Sequence, residues 1–466
     1  MCKDVDSFSK FYVRKFRFGI IYFLIIFLFH FTPTIFSQGT LKTMESTLDD
    51  YGIQFDVIYT ADLNRCLNIH SSTNLTYLDV IDFMFSFDFN PLFSWGGARF
   101  SVDVMGIHGT NPSRYIGDIQ GVSNIGAYQT WKFSELWFQQ NLWDDSFSIL
   151  AGIYDINSEF DVIETAGHFL NSSFGMGPEF SLSGINGAPT FPNPDPGLRV
   201  KIKATDNIIM QMAVFDPVPG DPASPHHTCY QYTINEGMFL AGEIMLIKGD
   251  TESQERIPYS KRFRRGRHGV GFRRAKHGFD IQQRNWNKRR RRMLKDIAQS
   301  DYTKWAIGIW HYVKALDESF MDKERTLGKK EGWGIYGLAE KMLISDDNNP
   351  HKSLSGFVRL GIADKEVSCI DGFIGCGLVW SKMSLNQIDD QMGLAVAAAH
   401  KSVRYQPQNT DVIKYKEWEI VIELSYRIQI NSFLNLQPDV QYIINPGFNS
   451  EKDNSVVGNI RVEVSL

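Results

Sequence analysis

Three glutamates, Glu417, Glu419 and Glu423, have the chemistry of general acids and bases. A glycosidase needs two carboxylates roughly 5–9 Å apart on opposing sides of a sugar. These three share one face of a single period-two segment, which supplies no opposing pair. His226, His227 and Cys229 are candidate metal ligands, but no second pair with matching spacing accompanies them. The chain has no phosphate loop, Gly-x-Ser-x-Gly elbow or His-Glu-x-x-His motif. The expectation is no catalysis, no cofactor and no metal.

Binding without reaction is the other chemistry these residue types support. Arg99 and Asp103 alternate along one segment. Glu135, Trp137, Gln139 and Asn141 alternate along the next, and Asn435, Gln437, Asp439 and Gln441 along another near the end. Together they offer the donors and acceptors that match sugar hydroxyls, plus an aromatic face for C–H groups. A permeant must also leave, so binding spread weakly over many groups suits a channel.

The elements that position these residues read as strands. From Glu417 to Ile430, Trp418, Ile420, Ile422, Leu424, Tyr426, Ile428 and Ile430 fall on one face, against Glu417, Glu419, Val421, Glu423, Ser425, Arg427 and Gln429 on the other. Such a segment is more than twice the usual soluble strand of about 5–6 residues, and suits a tilted membrane strand with overhang. Ile81, Phe83, Phe85, Phe87 and Phe89 share a face, and Phe100, Val102 and Val104 oppose Arg99, Ser101 and Asp103. Ile460, Val462, Val464 and Leu466 repeat the pattern at the end, where outer-membrane barrels usually close on an aromatic and this chain closes on Leu466.

Sixteen such segments run from 53–64 to 456–466, with links alternating short and long. An even number of strands, short periplasmic turns and long outer loops are the habits of bacterial barrels. Length alone, at about 150 residues per domain, suggests three domains. The expected fold is instead all-β, a single transmembrane antiparallel barrel with lipid outside and water inside. A sixteen-stranded lumen is a wide channel unless something narrows it. The long link 156–197 is expected to fold inward as a constriction, with Asn157, Glu159, Phe160, Asn171 and Phe174 at the narrowing. An outward surface loop is the competing possibility.

Residues 1–37 place Lys3, Lys10, Arg14, Lys15 and Arg17 before an apolar run from Phe18 to Phe31, the order of a secretory signal peptide; the barrel is then 38–466. Beyond it no apolar run reaches membrane-helix length. The net charge of -5 is a sum of unlike parts. Without residues 1–37 the chain holds 43 basic and 51 acidic side chains; 16 of those basic residues and one acid lie in Arg256–Lys295, leaving 27 against 50 elsewhere. Residues 250–300 therefore form a basic insertion, expected to be solvated and extended by its own repulsion. Strand parity places it on the periplasmic side, where peptidoglycan carboxylates or inner-leaflet phosphates are possible anionic partners of 256–295. Nucleic acid ranks last, having no access there. Cys66, Cys229, Cys369 and Cys376 allow three disulfide connectivities that spacing does not separate.

Several long motifs carry a resemblance. "GIHGTNPSRYIGDIQGVSNI" (106–125), "ELWFQQNLWDDSFSILAGIYDINSEFDV" (135–162), "FLNSSFGMGPEFS" (169–181) and "LNLQPDVQYIINPGF" (434–448) are similar to the carbohydrate-selective, OprB-like porins. The resemblance covers the mature chain apart from the basic insertion. It implies a sixteen-stranded outer-membrane barrel admitting small sugars, monosaccharides such as glucose, by facilitated diffusion, in contact with outer-membrane lipid, with a second copy of itself as a candidate partner in a homo-oligomer. A general or differently selective porin, and a structural or adhesive barrel with a plugged interior, are the alternatives.

Overall fold

The computed structural model describes residues 48, 50–67, 75–221, 237–249, 302–316, 330–346, 349–382, 390–405, 415–431 and 433–465. The expected signal peptide, the basic insertion, Cys229 and Leu466 lie outside the described residues. The chain divides into two units, residues 1–54 and 55–466, and the second holds the barrel.

Sixteen strands form one closed sheet: β1 (Ile53–Cys66), β2 (Thr76–Asp88), β3 (Ala98–Gly109), β4 (Thr130–Leu142), β5 (Phe147–Tyr154), β6 (Asp195–Lys203), β7 (Ile208–Phe215), β8 (Met238–Lys248), β9 (Thr303–Leu316), β10 (Lys330–Asp346), β11 (Asn349–Ala363), β12 (Ile370–Ser381), β13 (Asp390–Lys401), β14 (Trp418–Gln429), β15 (Leu434–Ile444) and β16 (Ser455–Ser465). Each pairs with its sequence neighbours, and β16 closes on β1 through pairs such as Ala61↔Val462 and Leu63↔Ile460. Closure removes the free edges that would otherwise need partners in a medium with no water.

The faces are inverted relative to a soluble barrel. In β14, Glu419, Val421, Glu423, Ser425 and Arg427 are buried, whereas Ile422 and Leu424 are exposed. Ile307 and Ile309 in β9 and Leu360 and Ile362 in β11 are likewise exposed, forming an outer apolar band. Exposed tryptophans bracket that band. Trp131 and Trp333 lie near the strand ends that lead into long loops, and Trp95, Trp143, Trp305 and Trp380 near the ends with short turns. Two aromatic girdles of this kind sit where the rings meet both hydrocarbon and headgroup.

Strand β4, Thr130–Leu142, contains an irregularity. Pairing with β3 slips between Asp103↔Glu135 and Val104↔Phe133, so Ser134 and Glu135 both point inward. A bulge of this kind inserts one residue and resets the parity. Inside the wall, large rings lie flat where the neighbouring strand offers glycine. A Cβ on Gly334 would sit 1.9 Å from the Trp310 ring, and one on Gly308 would sit 2.1 Å from Tyr336. Lys248 pairs with Thr303 at the end of the barrel that carries the short turns.

Candidate pore and constriction

The link between β5 and β6, residues 155–194, turns into the lumen and crosses it. Asp155 closes its base by accepting from the Asn157 amide at 2.8 Å and the Phe191 amide at 3.1 Å. The loop then reaches strand after strand. The Asp161 amide donates to Glu243 of β8, and the Thr165 amide to Glu340 of β10 at 2.9 Å. The Leu170 and Asn171 amides donate to Glu423 of β14. Strand β14 stands on the far side of the barrel from the loop's roots, so these bonds require a crossing. An outward surface loop is overturned.

Apolar packing holds the same loop. Phe180 lies parallel to Trp310 of β9, centroids 4.2 Å apart and planes at 11°, an arrangement worth about 0.5–1.5 kcal/mol beyond its area. Phe169 and Phe174 pack against Phe357 of β11. Loop backbone inside a lumen is tolerable only if its amides find acceptors. The wall carboxylates supply them, and a carboxylate can accept several N–H groups at once.

A second loop, residues 110–129 between β3 and β4, also folds inward. Glu419 of β14 accepts from the Ile119, Gln120 and Gly447 amides at 2.6–3.1 Å. Ser123 donates to Asp62, which pairs with Arg461 at 2.7 Å, and Arg461 also reaches Asn124. The two loops bond to each other: Asn124 N to Leu170 O and Ser172 N to Gly121 O, both 2.8 Å. They behave as one internal scaffold.

A polar row follows the wall beneath the root of the first loop. Arg99 stands 3.7 Å from Asp88 and lies in register with Gln139. Gln139 donates to Asn141 and accepts from Arg199 at 3.2 Å. Arg199 and Lys201 of β6 converge on Glu159, each with a 2.9 Å contact to Oε1. Burial alone would raise the Glu159 carboxyl, but Arg199 and Lys201 together hold it down at about 2. Water reaches this row unevenly: Asp88, Lys201 and Arg99 side chains are 34%, 18% and 10% exposed.

The expected site residues separate into groups. Arg99, Gln139 and Glu159 come together in the polar row, with Asp88, Arg199 and Lys201, which sequence reasoning passed over. Asp103 accepts from Ser134, and Trp137 donates its indole N–H to Glu135 at 3.1 Å, further along the same wall. Asn171 of the inward loop meets Gln437, Asp439 and Gln441 of β15 in a second cluster. There Gln441 accepts from Asn171 and donates to Val122 O, and Gln437 donates to His168 O. Asn157 and Phe160 are fully buried, with Asn157 donating to the Phe160 and Asp161 carbonyls and so shaping the loop from within. Phe174 is buried against Phe357.

Glu419 and Glu423, considered for acid chemistry, are completely buried and bind loop amides. Among the described residues no group of three or more His, Cys, Asp and Glu is placed to hold a metal. His226, His227 and Cys229 lie outside those residues. Cys66, Cys369 and Cys376 are free thiols. Each of the three connectivities needs two of these joined, so none of the three is complete here.

Comparison with known proteins agrees with the geometry. The model of the OprB family of carbohydrate-selective porins matches residues 72–466. Porin B of Pseudomonas aeruginosa is 21% identical over 398 residues, covering 81% of this chain and 79% of that protein. The high-pH structure of Pseudomonas putida OprB superposes with a TM-score of 0.70 at 18% identity, covering 91% of this chain and 96% of that one. Its low-pH structure gives 0.52 at 15% identity, covering 92% and 97%.

Proposed function

This chain belongs to the OprB family of carbohydrate-selective porins, and from that premise we propose that it admits monosaccharides such as glucose by facilitated diffusion. It is an outer-membrane carbohydrate porin, a transport channel by family and by fold. The finer reading rests on the polar row. Asp88, Arg99, Gln139, Asn141, Arg199, Lys201 and Glu159 gather donors and acceptors at the root of the inward loop, where water still reaches three of them. A hexose presents hydroxyls that both donate and accept, and charged partners bind them more strongly than neutral ones. We take Asp88, Arg99 and Lys201 as the permeant-facing members, with Gln139 and Glu159 behind them as partners of Arg199 and Lys201.

The two interlocked loops favour a second reading, a structural barrel whose lumen is plugged. Swelling of proteoliposomes separates the two. Fast swelling in glucose and slow swelling in a trisaccharide supports the sugar pore. No swelling in either supports the plug, and equal swelling in both indicates an unselective porin.

The basic insertion is proposed to contact an anionic envelope component from the periplasmic side. The pairing of Lys248 with Thr303 at the short-turn end supports that side. Protease added to intact cells is expected to leave 256–295 uncut, and cleavage there from outside would refute the placement.

A further inference from the structure

A single arginine joins two separated points of the inward loop to the barrel wall. Arg359 of β11 donates to Asp161 in a fork, Nε to Oδ1 at 2.8 Å and Nη2 to Oδ2 at 2.7 Å. The same Nη2 donates to Glu179 Oε1 at 2.7 Å. The three side chains are 3%, 0% and 0% exposed. The guanidinium also lies 5.4 Å from the Tyr336 ring centroid and 5.2 Å from that of Phe373, so rings from both adjacent strands confine it.

The backbone around this knot is shaped to admit it. A Cβ on Gly361 would fall 1.8 Å from Glu179 Oε1, and one on Gly177 would fall 2.0 Å from Arg359 Nη1. Asp161 has φ +57°, a left-handed conformation that a side chain seldom adopts without outside support. That support is present: its carboxylate is clamped by Arg359, and its amide donates to Glu243 and to the Tyr336 hydroxyl, both at 3.0 Å. The stretch between Asp161 and Glu179 includes the residues that reach β14. Whatever fixes its two ends fixes how far the loop projects.

We propose that Arg359 is a positioning residue that sets the width of the constriction by pinning Asp161 and Glu179 to one point on β11. It acts through the loop and does not touch the permeant. The proposal rests on the sugar-pore reading, and the experiment tells their failures apart.

Single-channel conductance and its block by glucose are measured in planar bilayers for the full chain, E179Q, R359M and the neutral set D161N/E179Q/R359M. Heat-modifiable gel mobility reports that each barrel has closed. Glutamine at 179 keeps the shape and leaves the Arg359–Asp161 fork in place, so E179Q provides a folded variant if R359M does not close. The neutral set removes the ion cluster without stranding a buried charge. The expected result is graded: noisier, larger conductance in E179Q, and in the folded R359M or neutral set a roughly tenfold weaker glucose block. Parental conductance, noise and block in E179Q and in whichever Arg359 variants fold would overturn the proposal. A parent that conducts without any glucose block would sink the sugar reading alone, and conductance and noise would still judge Arg359.

Discussion

Glutamates on lumen-facing positions serve as acceptors for loop backbone. Glu243, Glu340, Glu419 and Glu423 each take amide N–H groups from a segment that would otherwise bury them unsatisfied. Alternation along β14 made the inward direction of Glu419 and Glu423 legible. Their partners were not, because Leu170 is 253 positions from Glu423 and Ile119 is 300 from Glu419. Period two fixes a face and carries no information about what folds across it. Glu159 differs, being held at about 2 by Arg199 and Lys201 against the opposing effect of burial. A depressed carboxyl contributes stability that is fully present above its ordinary value of 4.5 and is lost as pH falls through about 2. Asp161 and Glu179 have the opposite sign. Burial raises both despite Arg359, so their contribution grows on acidification and is lost as pH rises. The root of the loop at Glu159 is thus expected to loosen first as pH drops below 4.5, before the Arg359 knot. Limited proteolysis of detergent-solubilised protein across that range checks this, cleavage at 155–160 preceding cleavage at 175–182.

Strands were the most legible elements, because alternation is a local property and hairpin neighbours pair with one another. The bulge at Ser134 and Glu135 was not legible: two polar residues in succession resemble an ordinary step until the partner strand is seen. Of the two inward loops, 155–194 was recognisable from length, whereas 110–129 has the composition of any surface link and its inward fold depends on Asp62, Glu419 and Arg461 elsewhere. The inverted faces of a strand give a prediction at this scale. Ile422→Arg places a charge on the exposed face near the middle of β14 and is expected to cost about 2–4 kcal/mol. Gln429→Arg, on the inward face near the strand's end, should cost far less. Urea unfolding from lipid vesicles compares the two. Equal losses would contradict the assignment of faces.

Across the whole molecule, a modest net charge of -5 conceals an acidic barrel and one basic insertion. Many of the barrel's charges face inward, where arginines, loop amides and hydroxyls engage them, as Arg461 does Asp62 and Arg199 does Glu159. The outside is apolar between two tryptophan girdles, which suits lipid. Two loops knit to each other and to the wall cross a wide cylinder, and the polar row is proposed to edge the passage they leave. The passage is proposed to recognise a sugar. Titrating glucose into single channels in a planar bilayer tests it most directly. Ion current that falls saturably with millimolar glucose, and less in the R99A and K201A variants, is the result predicted. A current that glucose leaves unchanged would contradict it.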